Sequence, residues 1–223
     1  MTMPTIKAIR KQIPREEFDY QILFGALKGY AHPRDKITDL LKKSVVKRVK
    51  KGLYVFGKDY RRRPYCRELL ANLIYGPSYI SLDYALSYYG IIPERVEAVT
   101  SVTTGQTKKF STPVGLFTYH AIPLVAFQTG MDIVELENST SYLIAVPEKA
   151  LADKIRCDRG VPISSQKDMY SYLIEHLRCD QTILQRMNPG LIKDYGTLYE
   201  SRKIKLLATL LMRLDKSRGG SHA

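Results

Sequence analysis

Cysteine is scarce in this chain. Cys66, Cys157 and Cys179 are an odd set with no CxxC pair, which argues against a disulfide framework and reads as packing thiols in a reducing cytoplasm. Histidine is equally sparse: His32, His120, His176 and His222 are scattered, with no HExxH or other metal-ligand spacing. Neither a metal ion nor a cofactor is therefore expected. Long apolar runs are missing too. The longest nearly apolar stretches, such as residues 206–211, fall far short of the roughly 20 residues that a bilayer span needs. With no apolar leader core near the N-terminus, the expectation is a soluble cytoplasmic protein with no membrane partner.

Acidic residues are thin in the first quarter. Residues 1–63 hold 17 Lys/Arg against 6 Asp/Glu, a net of +11 within a chain total of +13. The remaining 160 residues carry 18 against 16, or +2. A polyanion responds to local charge density, so a basic module on a near-neutral body points to a phosphate backbone as partner. The chain is long enough to bury a core and its 44% hydrophobic content is that of a folded protein, not of a basic tail.

Within the basic quarter, Ile6, Ile9 and Ile13 recur at helical spacing and stop at Pro14, while Phe18, Ile22, Ala26, Leu27 and Tyr30 continue an apolar stripe. These predict two helices. Pro33 opens a third, over residues 33–43, because proline's missing N–H has no partner to lose in a first helical turn. At 100° per residue, Ile37, Leu40 and Leu41 share one side; Arg34, Lys36, Thr38, Lys42 and Lys43 are the candidate DNA contacts on the helix. Val45–Val49 and Leu53–Gly57, joined through Lys50-Lys51-Gly52, predict a β-hairpin with Gly52 at positive φ. Lys47, Arg48, Lys50 and Lys51 on this hairpin are the candidate phosphate contacts. The pattern predicts a winged helix-turn-helix over 1–63: the third helix enters a major groove, and the hairpin holds an adjacent phosphate backbone. Asp35 and Asp39 face the same way as the cations, and either pair with Lys42 and Lys43 or accept from a cytosine amine. Lys58, Arg61, Arg62 and Arg63 prolong the basic surface toward Pro64, as a linker that touches phosphate or as one that is merely solvated.

Residues 64–223 predict an α+β domain with a helical C-terminal end. Helices are expected at 65–75 and at 82–89, the second capped by Ser81 and closed by Gly90. β segments are expected at 96–103, 108–111, 116–122, 133–136 and 142–146, and Pro147 opens a helix through Arg156. Apolar periodicity continues at 168–177, 181–187 and, most strongly, through Ile204, Leu207, Leu211 and Leu214.

A serial set of segments then becomes informative: Val49-Lys50-Lys51-Gly52-Leu53-Tyr54-Val55, Gly76-Pro77-Ser78-Tyr79-Ile80-Ser81, and Ala85 through Glu94. Val99-Thr100-Ser101-Val102-Thr103, Phe110 through Phe117, and Ala145 through Asp153 follow. In this order, over roughly residues 15–156, they resemble the AbiEi family of antitoxins from bacterial type IV toxin-antitoxin systems. The resemblance implies a transcriptional autorepressor whose winged helix binds inverted repeats in its own promoter as double-stranded DNA. It also implies a C-terminal domain needed for antitoxicity, and a nucleotidyltransferase-like toxin as functional partner. Family members commonly neutralise without a stable toxin complex. Residues 157–223 carry no motif of this kind.

Catalysis is not expected. Asp132 and Glu135 have the spacing of a carboxylate pair, but no Gly-Ser turn precedes them and strand alternation explains them more simply. Pro147-Glu148-Lys149 lacks the separated acid-x-Lys arrangement of a nuclease, and Glu148 is placed to support a helix N-terminus. Tyr75, Tyr79, Tyr84, Tyr88 and Tyr89 surround one helix and its entry, as half-buried packing rather than stacking platforms. Residues 201–218 form an amphipathic helix bearing Arg202, Lys203, Lys205, Arg213 and Lys216, which packs on its own domain or serves a partner or dimer interface. The competing functional reading is a protein-interaction module that binds a toxin directly, with DNA binding secondary.

Overall fold

A computed structural model describes residues 6–136 and 140–219, without the side chains of 215–219. His222 and the side chains of Lys216 and Arg218 thus lie outside the described residues. The chain is mixed α+β. Its first part runs α1 (Ile6–Gln12), β1 (Glu17–Asp19), α2 (Tyr20–Ala26), α3 (Pro33–Lys42), β2 (Val46–Lys50) and β3 (Leu53–Phe56). The strands pair antiparallel in the order β1-β3-β2.

The continuous apolar helix expected through Phe18 and Ile22 is corrected here. Phe18 sits in β1 opposite Tyr54, and its ring packs 4.7 Å from that of Phe56. Asp19 then caps α2, its Oδ1 accepting from the Ile22 N–H at 2.8 Å. Ile22 is left 43% exposed, off the apolar face. The hairpin expected after α3 is present, and Gly52 turns it at φ +86°, a conformation that costs glycine nothing.

Strand β3 is buried on both faces, because side chains alternate across a strand. Tyr54 and Phe56 join Ile9, Leu23, Leu27, Ile37 and Leu40 in the smaller core. Leu53 and Val55, with Val49 of β2, belong instead to the larger core that continues through Leu70, Ile74 and Tyr79. Polar bonds reinforce this contact. Glu16 Oε1 accepts from the Arg62 N–H at 3.2 Å and from the buried Arg10 guanidinium, whose face lies 4.4 Å from the Phe56 ring. Glu17 Oε1 accepts from the Cys66 N–H.

Beyond residue 64 the chain folds as α4 (Arg67–Ile74), β4 (Ser78–Ile80), α5 (Leu82–Tyr88), β5 (Val99–Thr103), β6 (Lys108–Thr112), β7 (Gly115–Ala121), α6 (Leu124–Phe127), β8 (Met131–Leu136) and β9 (Thr140–Ala145). There follow α7 (Pro147–Cys157), α8 (Gln166–Ser171), a π turn (Tyr172–His176), α9 (Gln181–Leu184), α10 (Pro189–Leu198) and α11 (Arg202–Gly219). Six strands form one mixed sheet in the order β6-β7-β5-β4-β9-β8, with β4/β9 and β5/β7 parallel. Strand β4 and helix α6 lie where no element was expected, α10 falls in the tail expected to be helical but outside its expected periodic stretches, and β5 begins at Val99 rather than Val96.

Ser81 occupies the N-cap position of α5 but makes no cap bond, which corrects its expected role. Its hydroxyl donates instead to Asp153 Oδ2 at 2.7 Å. Thr100 of β5 takes over: its Oγ1 accepts from the Tyr84 N–H at 3.0 Å and donates to the Ser81 carbonyl at 2.6 Å. Asp153 also meets Lys149, and both are fully buried. The Lys149 ammonium donates to the Tyr199 hydroxyl at 2.9 Å and lies 4.8 Å from that ring, 5.5 Å from Tyr79 and 5.7 Å from Tyr195. A buried charge needs both a counter-ion and hydrogen bonds. This cage supplies them from β4, α7 and α10, and so fastens the C-terminal helices to the sheet.

Candidate nucleic-acid interface

Helix α3 is amphipathic because its apolar residues recur three and four apart: Ile37 and Leu40 are buried, and Arg34, Asp35, Thr38, Lys42 and Lys43 are exposed. Asp39 divides the helix cations into two sets. Its carboxylate meets the Lys36 ammonium at 2.8 Å and the Lys43 ammonium at 2.9 Å. Hydrogen bonds from Lys36 first, then Lys43, hold that carboxyl below the ordinary aspartate range. Lys36 additionally lies 5.5 Å from the Tyr30 ring. Of the two lysines considered as partners for Asp35 and Asp39, Lys43 pairs with Asp39, whereas Lys42 and Asp35 make no ion pair among the described residues.

Arg34, Thr38 and Lys42 stand four residues apart and so form one row along the exposed face. Among the described residues neither Arg34 nor Lys42 makes an ion pair. The Thr38 hydroxyl donates to the Arg34 carbonyl at 3.2 Å, a bond within the helix that leaves its oxygen able to accept. Asp35 lies in the first turn of α3, where the positive end of the helix dipole favours an anion.

The hairpin cations divide similarly. Lys47 and Arg48 are exposed on β2, an edge strand of its sheet. Lys47 stands opposite Val55 and Arg48 opposite Tyr54, so the two side chains leave opposite faces of the ribbon. Lys51 is exposed at the turn. Lys50, expected to reach phosphate, instead donates to the main-chain carbonyl of Ile74. Its place opposite Leu53 puts it on the face that packs against the larger core, and the bare carbonyl at the end of α4 attracts a cation.

In the linker, Arg61 lies 5.6 Å from the Tyr65 ring. Arg63 lines a cavity of about 400 Å³ with Glu17, Pro64, Cys66, Glu135, Leu136 and Thr140. The basic stretch at the expected boundary is thus partly folded against the body.

Outside this surface, Asp132 and Glu135 lie three residues apart on β8, opposite Ile144 and Ser141 respectively, so they project to opposite faces. Among the described residues no three His, Cys, Asp or Glu side chains are grouped to hold a metal ion. Glu148 Oε1 accepts from the N–H of Asn188, the residue that caps α10. Tyr79 is fully buried, whereas Tyr88 is 48% exposed. Burial pushes the thiols of Cys66, Cys157 and Cys179 up to about 12, 11 and 12. The first of these also caps α4, its Sγ accepting from the Leu69 N–H at 3.3 Å. Among the described residues no helix is long and apolar enough to cross a membrane.

No protein-family model and no curated protein matches the chain.

Proposed function

We propose that the chain is a DNA-binding antitoxin and transcriptional autorepressor of the AbiEi kind, acting without catalysis. On this reading α1 to β3 form a winged helix-turn-helix, with α3 in the major groove. Arg34, Thr38 and Lys42 meet base edges, while Lys47, Arg48 and Lys51 contact phosphates. Lys36 and Lys43 shape the helix surface by holding Asp39, and Lys50 fixes the hairpin to the body. The row Arg34–Thr38–Lys42, exposed and free of ion pairs among the described residues, is the observation that carries the proposal: unpaired cations on a helix narrow enough for a groove are what a duplex selects. The operator is an inverted repeat in the protein's own promoter, read by two copies related by the repeat's symmetry. The functional partner is a nucleotidyltransferase-like toxin.

Binding of upstream DNA at stepped salt tests the reading. Affinity should exceed that for unrelated duplex by about 10³-fold or more, and should fall linearly on a log–log plot against salt. Equal affinity for unrelated DNA would refute the repressor.

Direct neutralisation of the toxin by protein contact is a second reading. It draws on Leu124 and Val125 of α6, which are 59% and 55% exposed. Co-purification with the neighbouring gene product at high salt, with no dependence on α3 cations, would favour it.

A further inference from the structure

The body beyond residue 64 is nearly neutral, yet three of its arginines converge. Arg156 and Arg159, at and just beyond the end of α7, line a cleft of about 370 Å³ with Arg202 and Lys203 at the start of α11. The same two arginines also border a second cavity of about 100 Å³, with Thr107, His120 and Cys157. Among the described residues, the side chains of Arg156, Arg159 and Arg202 make no hydrogen bond or ion pair. Two acids share the cleft and offset part of that charge. Asp158 is already occupied, by the Lys154 ammonium at 3.2 Å and by the Tyr172 hydroxyl; Glu200 is exposed to solvent. Lys203 is partly spent on the Val161 carbonyl, at 2.5 Å.

Four cations against two acids leave the cleft net positive, and a bound polyanion relieves the repulsion among them. Arginine's planar fork binds two oxygens of a phosphate at once, which an ammonium does not. A ligand with adjacent phosphates offers one to each of Arg156 and Arg159, which line both cavities. We propose that this cleft is a binding site for a small oligophosphate, such as pyrophosphate or the polyphosphate tail of a nucleotide. The site is separate from α3 and does not depend on the chain being a repressor.

Titration calorimetry of the full chain with pyrophosphate, ATP, inorganic phosphate and sulfate, at ionic strength held constant with NaCl, tests this. Pyrophosphate and ATP should bind at least about ten-fold tighter than sulfate. Arg156→Ala with Arg159→Ala should abolish that preference. Arg156→Lys with Arg159→Lys keeps charge and fold but loses the fork, and should weaken pyrophosphate by about ten-fold. Arg34→Ala with Lys42→Ala should leave it unchanged. Pyrophosphate binding no better than sulfate, or unaffected by the lysine pair, would overturn the proposal. So would a lysine pair that loses duplex DNA but keeps pyrophosphate, which would make the cleft part of a nucleic-acid surface.

Discussion

The ammonium of Lys50 donates to the main-chain carbonyl of Ile74, the last residue of α4. A lysine of the hairpin, though exposed, is thereby tied to the body. Lys50→Ala should lower unfolding free energy by about 1 kcal/mol, the worth of a partly exposed charged hydrogen bond. It should leave the salt dependence of DNA binding intact, whereas Lys47→Ala and Arg48→Ala should each reduce the log–log slope by about 1. A slope lowered equally by Lys50→Ala would place that ammonium on phosphate.

Arg34→Ala, Thr38→Ala and Lys42→Ala should change which sequences are preferred more than they change total affinity. A well-formed base contact discriminates by about 1–3 kcal/mol. Competition between the operator and single-base variants reads this directly, and a uniform loss across all competitors would reassign these residues to the backbone.

Asp39 restrains two lysines at once. Asp39→Asn removes one negative charge from the surface of α3 and frees both, so affinity for unrelated duplex should rise several-fold and its salt slope should steepen. Helix stability should fall by no more than about 1 kcal/mol, given roughly 0.5 kcal/mol for each surface pair. Unchanged non-specific affinity would show that α3 does not face the duplex.

Lys149 and Asp153 offer a test of stability independent of any ligand. Asp153→Ala leaves a buried ammonium without its counter-ion and should cost about 3–5 kcal/mol in chemical denaturation. Lys149→Met combined with Asp153→Leu should recover much of that loss, since two apolar groups need no partner. A double variant as unstable as the single one would mean that Ser81 and Tyr199, which also hydrogen-bond to Asp153, depend on the carboxylate more than the ammonium does.

Asp168 predicts a pH effect. Hydrogen bonds from the Ser164 hydroxyl and main chain, then from Ser165, hold its carboxyl down at about 2. Folding thus favours the ionised form, and its stabilising effect is complete above the free carboxyl value of roughly 4. It disappears as pH falls from there toward 2. Asp168→Asn should therefore lower Tm at pH 6 and leave it nearly unchanged at pH 2. An equal loss at both values would remove ionisation from the explanation.

Much of the N-terminal part was legible because its signals are local. Ile37 and Leu40 fall on one face at helical spacing, Pro33 opens α3, and Gly52 marks the turn; each needs only near neighbours. Strand β1 was not legible: Phe18 suits a helix stripe as well as a strand, and only pairing with Tyr54, distant in sequence, decides. Strand β4 is equally short. Helix α10 was obscured by Gly190 and Gly196, which lower helix propensity. At Gly196 a Cβ would come within 2.9 Å of Lys205 Cγ, so close packing against α11 requires the glycine. The Asn188-Pro189 pair, a cap followed by a first-turn proline, was the available signal. Composition recorded how many cations the first quarter has, but their division at Asp39 and Lys50 depends on where side chains meet after folding.

A polypeptide ending near residue 63 would turn Val49, Leu53 and Val55 toward water, since their cover comes from further along the chain. Each such aliphatic group forfeits about 1.5–3 kcal/mol when uncovered. Such a fragment would carry a greasy ribbon beside its cationic helix, prone to clump as readily as to bind. The ribbon that follows α3 is therefore seated on the rest of the chain through Val49, Leu53 and Val55.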